Sequence, residues 1–180
     1  MGIIGGKWGH LVFSGDSPFM ARGRKVKAVA ADNEKVDYLG QHVRGLDAGR
    51  VILPLEWRPV GSPRDFMIIL WPPTKNEYLL VLPPSRWEIL RKNLAEHSLG
   101  DDLAALVGRA ISSGTFKRSL DSYGRLPLPE EASKAVEIEK DAMLVGSMNK
   151  FEIWNPGSFQ ATLTKANPEE IQQAIKSFKI

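Results

Sequence analysis

Apolar residues in this chain gather into short runs closed by Gly or Pro, and most of those runs have strand character rather than helical spacing. Val51-Ile52-Leu53, ended by Pro54, predicts a short buried strand. Phe66 to Trp71 and Glu77 to Leu82 flank Pro72-Pro73-Thr74-Lys75-Asn76 and predict a hairpin with a five-residue turn. Ala142 to Gly146 and Lys150 to Trp154 predict a second hairpin around Ser147-Met148-Asn149. Thr115 to Leu120 predicts an edge-like strand, and Leu126 to Leu128 a further short one. Tyr38 to Arg44 alternates loosely and leads into Gly45-Leu46-Asp47-Ala48-Gly49, whose glycines permit the φ > 0 geometry of a tight turn.

Helical spacing marks the remaining segments. Ser85 followed by Glu88 predicts a capping box, opening a helix with Trp87, Leu90 and Leu94 on one stripe. Gly100 ends or breaks it. Asp101 or Asp102 is placed to cap a second helix bearing Leu103, Leu106, Val107 and Ile111. Pro129-Glu130-Glu131-Ala132 predicts a short helix with proline at its first position and acids in its first turn. Asn167-Pro168-Glu169-Glu170 starts the last helix, whose stripe of Ile171, Ile175 and Phe178 packs either on the core or on another subunit.

The elements recur. Gly49-Arg50-Val51-Ile52-Leu53-Pro54 is answered 75 residues later by Gly124-Arg125-Leu126-Pro127-Leu128-Pro129. Tyr78 to Trp87 is answered by Lys150 to Phe159, with Trp87 and Phe159 now 72 residues apart. Two copies of a unit too small for its own core predict pseudo-twofold packing around one shared core. The expected division is a flexible basic extension over 1–37, a first repeat with its helix over 38–97, a connecting helix over 98–114, a second repeat over 115–165 and a C-terminal helix over 166–180.

Composition narrows the function. With 43% hydrophobic and 25% charged residues the chain is ordinary for a globular protein. Zero cysteines exclude disulfides, thiolate zinc sites and a cysteine nucleophile. No apolar run approaches the roughly 20 residues of a membrane span. The start Met1-Gly2-Ile3-Ile4-Gly5-Gly6-Lys7 is too short and glycine-rich for a signal-peptide core, and Gly6 stands where a myristoylation motif wants Ser or Thr. A cytoplasmic protein is expected. The net charge of +3 is spread as +2 over 1–37, +2 over 38–100 and −1 over 101–180, so a nucleic-acid face must come from arranged residues rather than bulk charge.

Catalytic candidates do not assemble. His10, His42 and His97 lack metal-site spacing, and Ser85 and Ser158 stand at expected helix starts, where capping accounts for them. Glu130-Glu131 suits a helix N-terminus, and no glycine loop of the phosphate-cradling kind is present. No catalytic residue, cofactor or metal is assigned. Trp57, Trp71, Trp87 and Trp154 fall on apolar stripes or strand ends and are read as core or subunit contacts rather than as a base-stacking platform.

Two stretches carry a resemblance. Asp121-Ser122-Tyr123-Gly124-Arg125-Leu126-Pro127-Leu128-Pro129 and Ala142 to Trp154 resemble the C-terminal half of the MraZ family, bacterial transcriptional regulators of the division and cell-wall gene cluster. Tyr38-Leu39-Gly40, Gly49 to Pro54 and Pro84 to Ile89 resemble its N-terminal half, so the resemblance covers 38–165. The family signature is a repeated Asp-x-x-x-Arg with Lys-Gly before the arginine. Here Tyr123 stands in the lysine position of the second copy, while in the first Leu46 takes the Asp position, Asp47 follows it and Ala48 replaces the lysine.

The resemblance implies an α+β, β-rich fold of two AbrB-like swapped-hairpin repeats sharing a barrel-like core, with connecting and C-terminal helices. It also implies a homo-oligomeric ring of octamer or dodecamer class, associated with the nucleoid, that binds double-stranded DNA at closely spaced G-rich promoter repeats. Arg50 and Arg125 are then the base-reading residues, with Asp47, Asp121, Gly49, Gly124 and Tyr123 completing their loops.

A guanidinium fork matches guanine O6 and N7, and it reads sequence only when a neighbouring carboxylate fixes its direction. By this logic Arg125 is the better-oriented reader and Arg50 the looser one. Candidate phosphate contacts are Arg22, Arg24, Lys25 and Lys27 of the extension, with Arg44 and Arg118. The extension is read either as that phosphate-gripping arm or as a segment with no role. On spacing alone an Asp-x-x-x-Arg loop is a surface ion pair, and the duplication and resemblance favour recognition instead. A second reading is an oligomeric AbrB-like interaction or antitoxin-like module whose departures at Leu46, Ala48 and Tyr123 have removed operator binding.

Overall fold

The computed structural model of the chain describes residues 36–61, 64–96, 101–165 and 167–177. The expected arm residues Arg22, Arg24, Lys25 and Lys27 lie outside the described residues, as do His10, His97, Gly100 and Phe178. Among the described residues eight strands form one antiparallel sheet: β1 Gln41–Asp47, β2 Arg50–Ile52, β3 Asp65–Trp71, β4 Tyr78–Leu82, β5 Thr115–Ser119, β6 Arg125–Pro127, β7 Asp141–Gly146 and β8 Phe151–Trp154. Among the described residues there are five α-helices: α1 Pro84–Ala95, α2 Asp102–Ser113, α3 Glu130–Ala135, α4 Pro156–Lys165 and α5 Pro168–Ser177.

The strand order β5-β3-β4-β8-β7-β1-β2-β6 crosses between the halves of the chain. The outermost strands β5 and β6 are consecutive in sequence, and the turn between them is closed by Asp121 N–H donating to the Arg125 carbonyl at 3.0 Å. The sheet therefore curls into a nearly closed barrel, which leaves little free strand edge.

Register shows how the halves meet. β2 and β6 pair about Val51 and Leu126, and β4 and β8 pair about Leu80 and Glu152. Those partners are the residues that the 75- and 72-residue echoes equate. Equivalent strands thus lie against each other across a pseudo-twofold axis. β1 pairs with β7 of the other half, and β5 reciprocates by pairing with β3. Each half lends its first strand to the other, which is the swapped-hairpin arrangement.

Both halves bury residues in one core. Val51, Leu53, Trp57, Phe66, Ile68, Leu79 and Val81 from the first meet Leu126, Leu128, Ala142, Leu144, Phe151 and Ile153 from the second. Tyr38, Trp57, Phe66 and Phe151 pack ring against ring, with centroids 5.1–5.7 Å apart. A second cluster covers the outer face of β3 and β4, where Ile69, Leu80, Leu82 and Ile111 pack with Trp87, Leu90 and Leu94 of α1. The predicted α1 stripe is that contact.

Local chemistry moved several element ends. β1 runs through Gly45 to Asp47, because Leu46 packs on the core and its N–H donates to the Lys140 carbonyl at 2.7 Å. The first turn shrinks to Ala48-Gly49, with φ of 47° and 72°. Trp71 pairs with Tyr78, so Glu77 joins the turn of the β3–β4 hairpin instead of opening β4.

The capping box at Ser85 and Glu88 is not formed. Pro83 is the N-cap and Pro84 begins α1, where proline has no N–H to satisfy, and Glu88 pairs with Arg91 at 3.0 Å. Pro129 likewise caps α3 rather than filling its first position. Asp101 caps α2 by accepting from the N–H groups of Leu103 and Ala104. Helix α4 follows β8 after a single residue, Asn155. Asn155 opens it by accepting from Gly157 and Ser158 N–H, so Ser158 receives a cap rather than supplying one.

Candidate nucleic-acid interface

The short β2–β6 ladder has two faces. Val51 and Leu126 point inward and are fully buried, so alternation sends Arg50 and Ile52, with Arg125 and Pro127, to the outer face. In register, Arg50 lies opposite Pro127 and Arg125 opposite Ile52, placing the two arginines diagonally on a ladder three residues long. Each glycine turn is latched by the other half. Leu53 N–H donates to the Gly124 carbonyl at 3.0 Å, and Leu128 N–H donates to the Gly49 carbonyl at 2.9 Å. The core thereby fixes where both turns stand.

The second loop is built around Asp121. One carboxylate oxygen accepts from the N–H groups of Tyr123 and Arg125, both at 2.9 Å, and the other from Arg125 Nε at 2.7 Å. The backbone N–H of Arg125 foremost, with its guanidinium and the Tyr123 N–H, holds the Asp121 carboxyl below its ordinary value of 3.8 against partial desolvation. The Asp121 hydrogen bond in turn raises the Arg125 guanidinium above its usual value. Tyr123 is 71% exposed and its ring centroid lies 5.1 Å from the Arg125 guanidinium carbon. A cation–π contact therefore stands where the sequence resemblance expects a lysine.

The first loop is one residue tighter. Asp47 and Arg50 are a directly opposed strand pair flanking Ala48-Gly49. Arg50 Nε donates to the Asp47 carbonyl at 3.3 Å, and Arg50 Nη2 stands 3.6 Å from the Asp47 carboxylate. That carboxylate instead takes Arg125 Nη1 at 3.0 Å. Arg50, Arg125, Asp47 and Asp121 thus form one cluster of two cations and two anions, in which Arg125 is held by both carboxylates and Arg50 loosely by one.

Arg58 was not singled out from the sequence, where no periodicity marks it in the irregular stretch after Pro54. Its Nε and Nη2 donate to the Leu53 carbonyl at 2.9 and 2.8 Å. A Cβ added to Gly124, at φ 79°, would fall 2.6 Å from Arg58 Nη1, so the guanidinium lies directly against the loop backbone. The candidate phosphate residues Arg44 and Arg118 occupy matching places on β1 and β5, three residues before Asp47 and Asp121. Each donates to the carbonyl of the preceding residue, at 3.0 and 2.9 Å. Among the described residues no group of His, Asp or Glu is placed to hold a metal ion, and no helix is long and apolar enough to cross a membrane.

These features define a pseudo-symmetric, swapped-hairpin α+β protein with paired Asp–Arg loops on one outer ladder. The chain belongs to the MraZ family. It is 31% identical over 130 residues to the transcriptional regulator MraZ of Mannheimia succiniciproducens, an alignment covering 71% of this chain and 86% of that protein. The transcriptional regulators MraZ of Shewanella amazonensis and Histophilus somni are 29% and 28% identical over 131 and 130 residues, covering 72% and 71% of this chain and 86% of each. A family model described as "MraZ protein, putative antitoxin-like" matches residues 111–177.

Proposed function

We propose that this chain is a sequence-specific DNA-binding transcriptional regulator of the division and cell-wall gene cluster. It reads G-rich promoter repeats through its paired Gly–Arg loops. The observation that carries the reading is the placement of Arg50 and Arg125 on one outward face, with Arg125 clamped by Asp47 and Asp121. An arginine fork whose direction is fixed before contact is what bidentate recognition of guanine needs. The names of the relatives support a role in transcription.

One pair of loops makes few contacts, so a ring of copies over successive repeats would strengthen binding through effective concentration. Leu103, Leu106 and Val107 support assembly. They leave α2 with an exposed apolar stripe that a neighbouring copy would cover, and only Ile111 of the predicted stripe is buried. Such a regulator works in the cytoplasm at the nucleoid.

The test is a gel shift of the full chain on the DNA upstream of its own gene, against a mixed-sequence duplex of equal length. Selective retardation that disappears when Arg50 and Arg125 are both replaced by alanine is expected. Equal retardation of the two duplexes, or none, favours the interaction-module reading, for which Ala48 and Tyr123 in place of lysines are the specific observation.

A further inference from the structure

The cluster at the loop tips is electrically neutral, with Arg50 and Arg125 balanced by Asp47 and Asp121. Both family lysines are replaced as well, by Ala48 and Tyr123. A neutral cluster orients a base contact and gives little attraction for a phosphate backbone. A described cation outside the cluster, Arg58, lies against the second turn at Gly124.

Arg58 is half-buried and holds no carboxylate among the described residues. Two of its five N–H donors bond the Leu53 carbonyl, a neutral acceptor, from the Nε–Nη2 side. The guanidinium lies under Gly124, one residue before Arg125, with Cζ, Nε and Nη1 all against it. Only Nε and Nη2 are engaged by Leu53, which leaves Nη1 without a hydrogen bond to a described residue. A fixed guanidinium with spare donors beside a loop tip is suited to an anionic oxygen. The position is also one-sided. By the 75-residue echo its counterpart is Ser133, which is buried and uncharged, and nothing stands within 4 Å of a Cβ built on Gly49.

We propose that Arg58 is a phosphate-contact residue: anchored by Leu53, it offers its Nη1 edge to a backbone phosphate next to the base addressed by Arg125. It takes over the charge that Tyr123 and Ala48 no longer supply. This rests on the DNA-binding reading above. Because the phosphate backbone is common to every sequence, Arg58 contributes equally to any duplex, whereas Arg125 acts only on the recognised one.

The experiment is fluorescence anisotropy of the full chain across a salt series, on a labelled duplex of its own upstream DNA and on a mixed-sequence duplex. Arg58→Gln is expected to reduce the slope of log K against log salt by about 0.9 on both duplexes, and Arg58→Lys to keep it. A wild-type chain that binds while Arg58→Gln keeps the wild-type slope overturns this proposal alone. A lysine variant that loses as much slope as the glutamine variant also overturns it, because the role is then one of shape. A wild-type chain that binds neither duplex overturns the DNA-binding reading together with it. If the glutamine variant does not fold, the Arg58 Nε resonance of the wild-type chain decides. A shift on adding either duplex supports the contact, and an unmoved resonance overturns it.

Discussion

The Asp47 carboxylate stands 3.0 Å from Arg125 Nη1, a residue 78 positions away, and 3.6 Å from Arg50 in its own turn. The tight Ala48-Gly49 turn causes this exchange. By shortening the loop it aims the carboxylate across β2 toward β6 instead of back over its own arginine. The two copies of the motif therefore act as one unit with unequal members.

Asp47→Asn should loosen Arg125 and remove a negative charge from the face. Affinity for a mixed-sequence duplex is expected to rise severalfold while the ratio of upstream to mixed-sequence affinity falls. Competition anisotropy measures both, and an unchanged ratio would show that Asp121 orients Arg125 unaided.

Arg125→Ala is expected to weaken binding to the upstream duplex by between about fivefold and a hundredfold, and Arg50→Ala by less. The order follows from the number of carboxylates holding each fork. Equal losses in side-by-side titrations would contradict it.

Gly49 and Gly124 both have φ near 75°, at 72° and 79°, yet their surroundings differ. Gly49→Ala meets open space and should cost about 1–2 kcal/mol from backbone strain alone. Gly124→Ala must also displace the Arg58 guanidinium and should cost more. Ala48, already at φ 47°, should gain up to about 1 kcal/mol on replacement by glycine. Urea unfolding gives all three values.

Acid should dissolve the second loop late. The Asp121 carboxyl is held below 3.8 by the N–H of Arg125 first, so its stabilising effect is complete above the unfolded-state value and is lost as pH falls through the depressed one. The Tyr123 and Arg125 amide resonances should therefore move with a midpoint under 3.8. A midpoint at or above 3.8 would contradict these bonds, and Asp121→Asn should abolish the step.

Much of the fold was legible because it depends on pattern. The short apolar runs gave β2, β3, β4, β7 and β8, and the Gly-Arg echo gave the axis on which Val51 meets Leu126. What failed to show depends on a distant partner at Gly45 and on the adjacent prolines at Ser85. Gly45 looks like a turn residue until Lys140 and the core hold Leu46 in β1. Ser85 looks like a cap until Pro83 takes that place. At the site, the tighter carboxylate hold on Arg125 than on Arg50 was readable from the displaced Asp47. The bond from Asp47 to Arg125 was not, because it depends on how two loops converge rather than on either loop's spacing.

The reciprocal latches have a consequence for how the molecule is made. A ribosome delivers Gly49 long before Leu128, and β1 long before its partner β7. The nascent first half therefore waits, with β1 paired to β2 only at Leu46 and Asp47 and its turn undocked, until the second half emerges. Such long-range pairing folds slowly. A chaperone that shields β1 during synthesis should raise the yield of folded chain more than one acting after release.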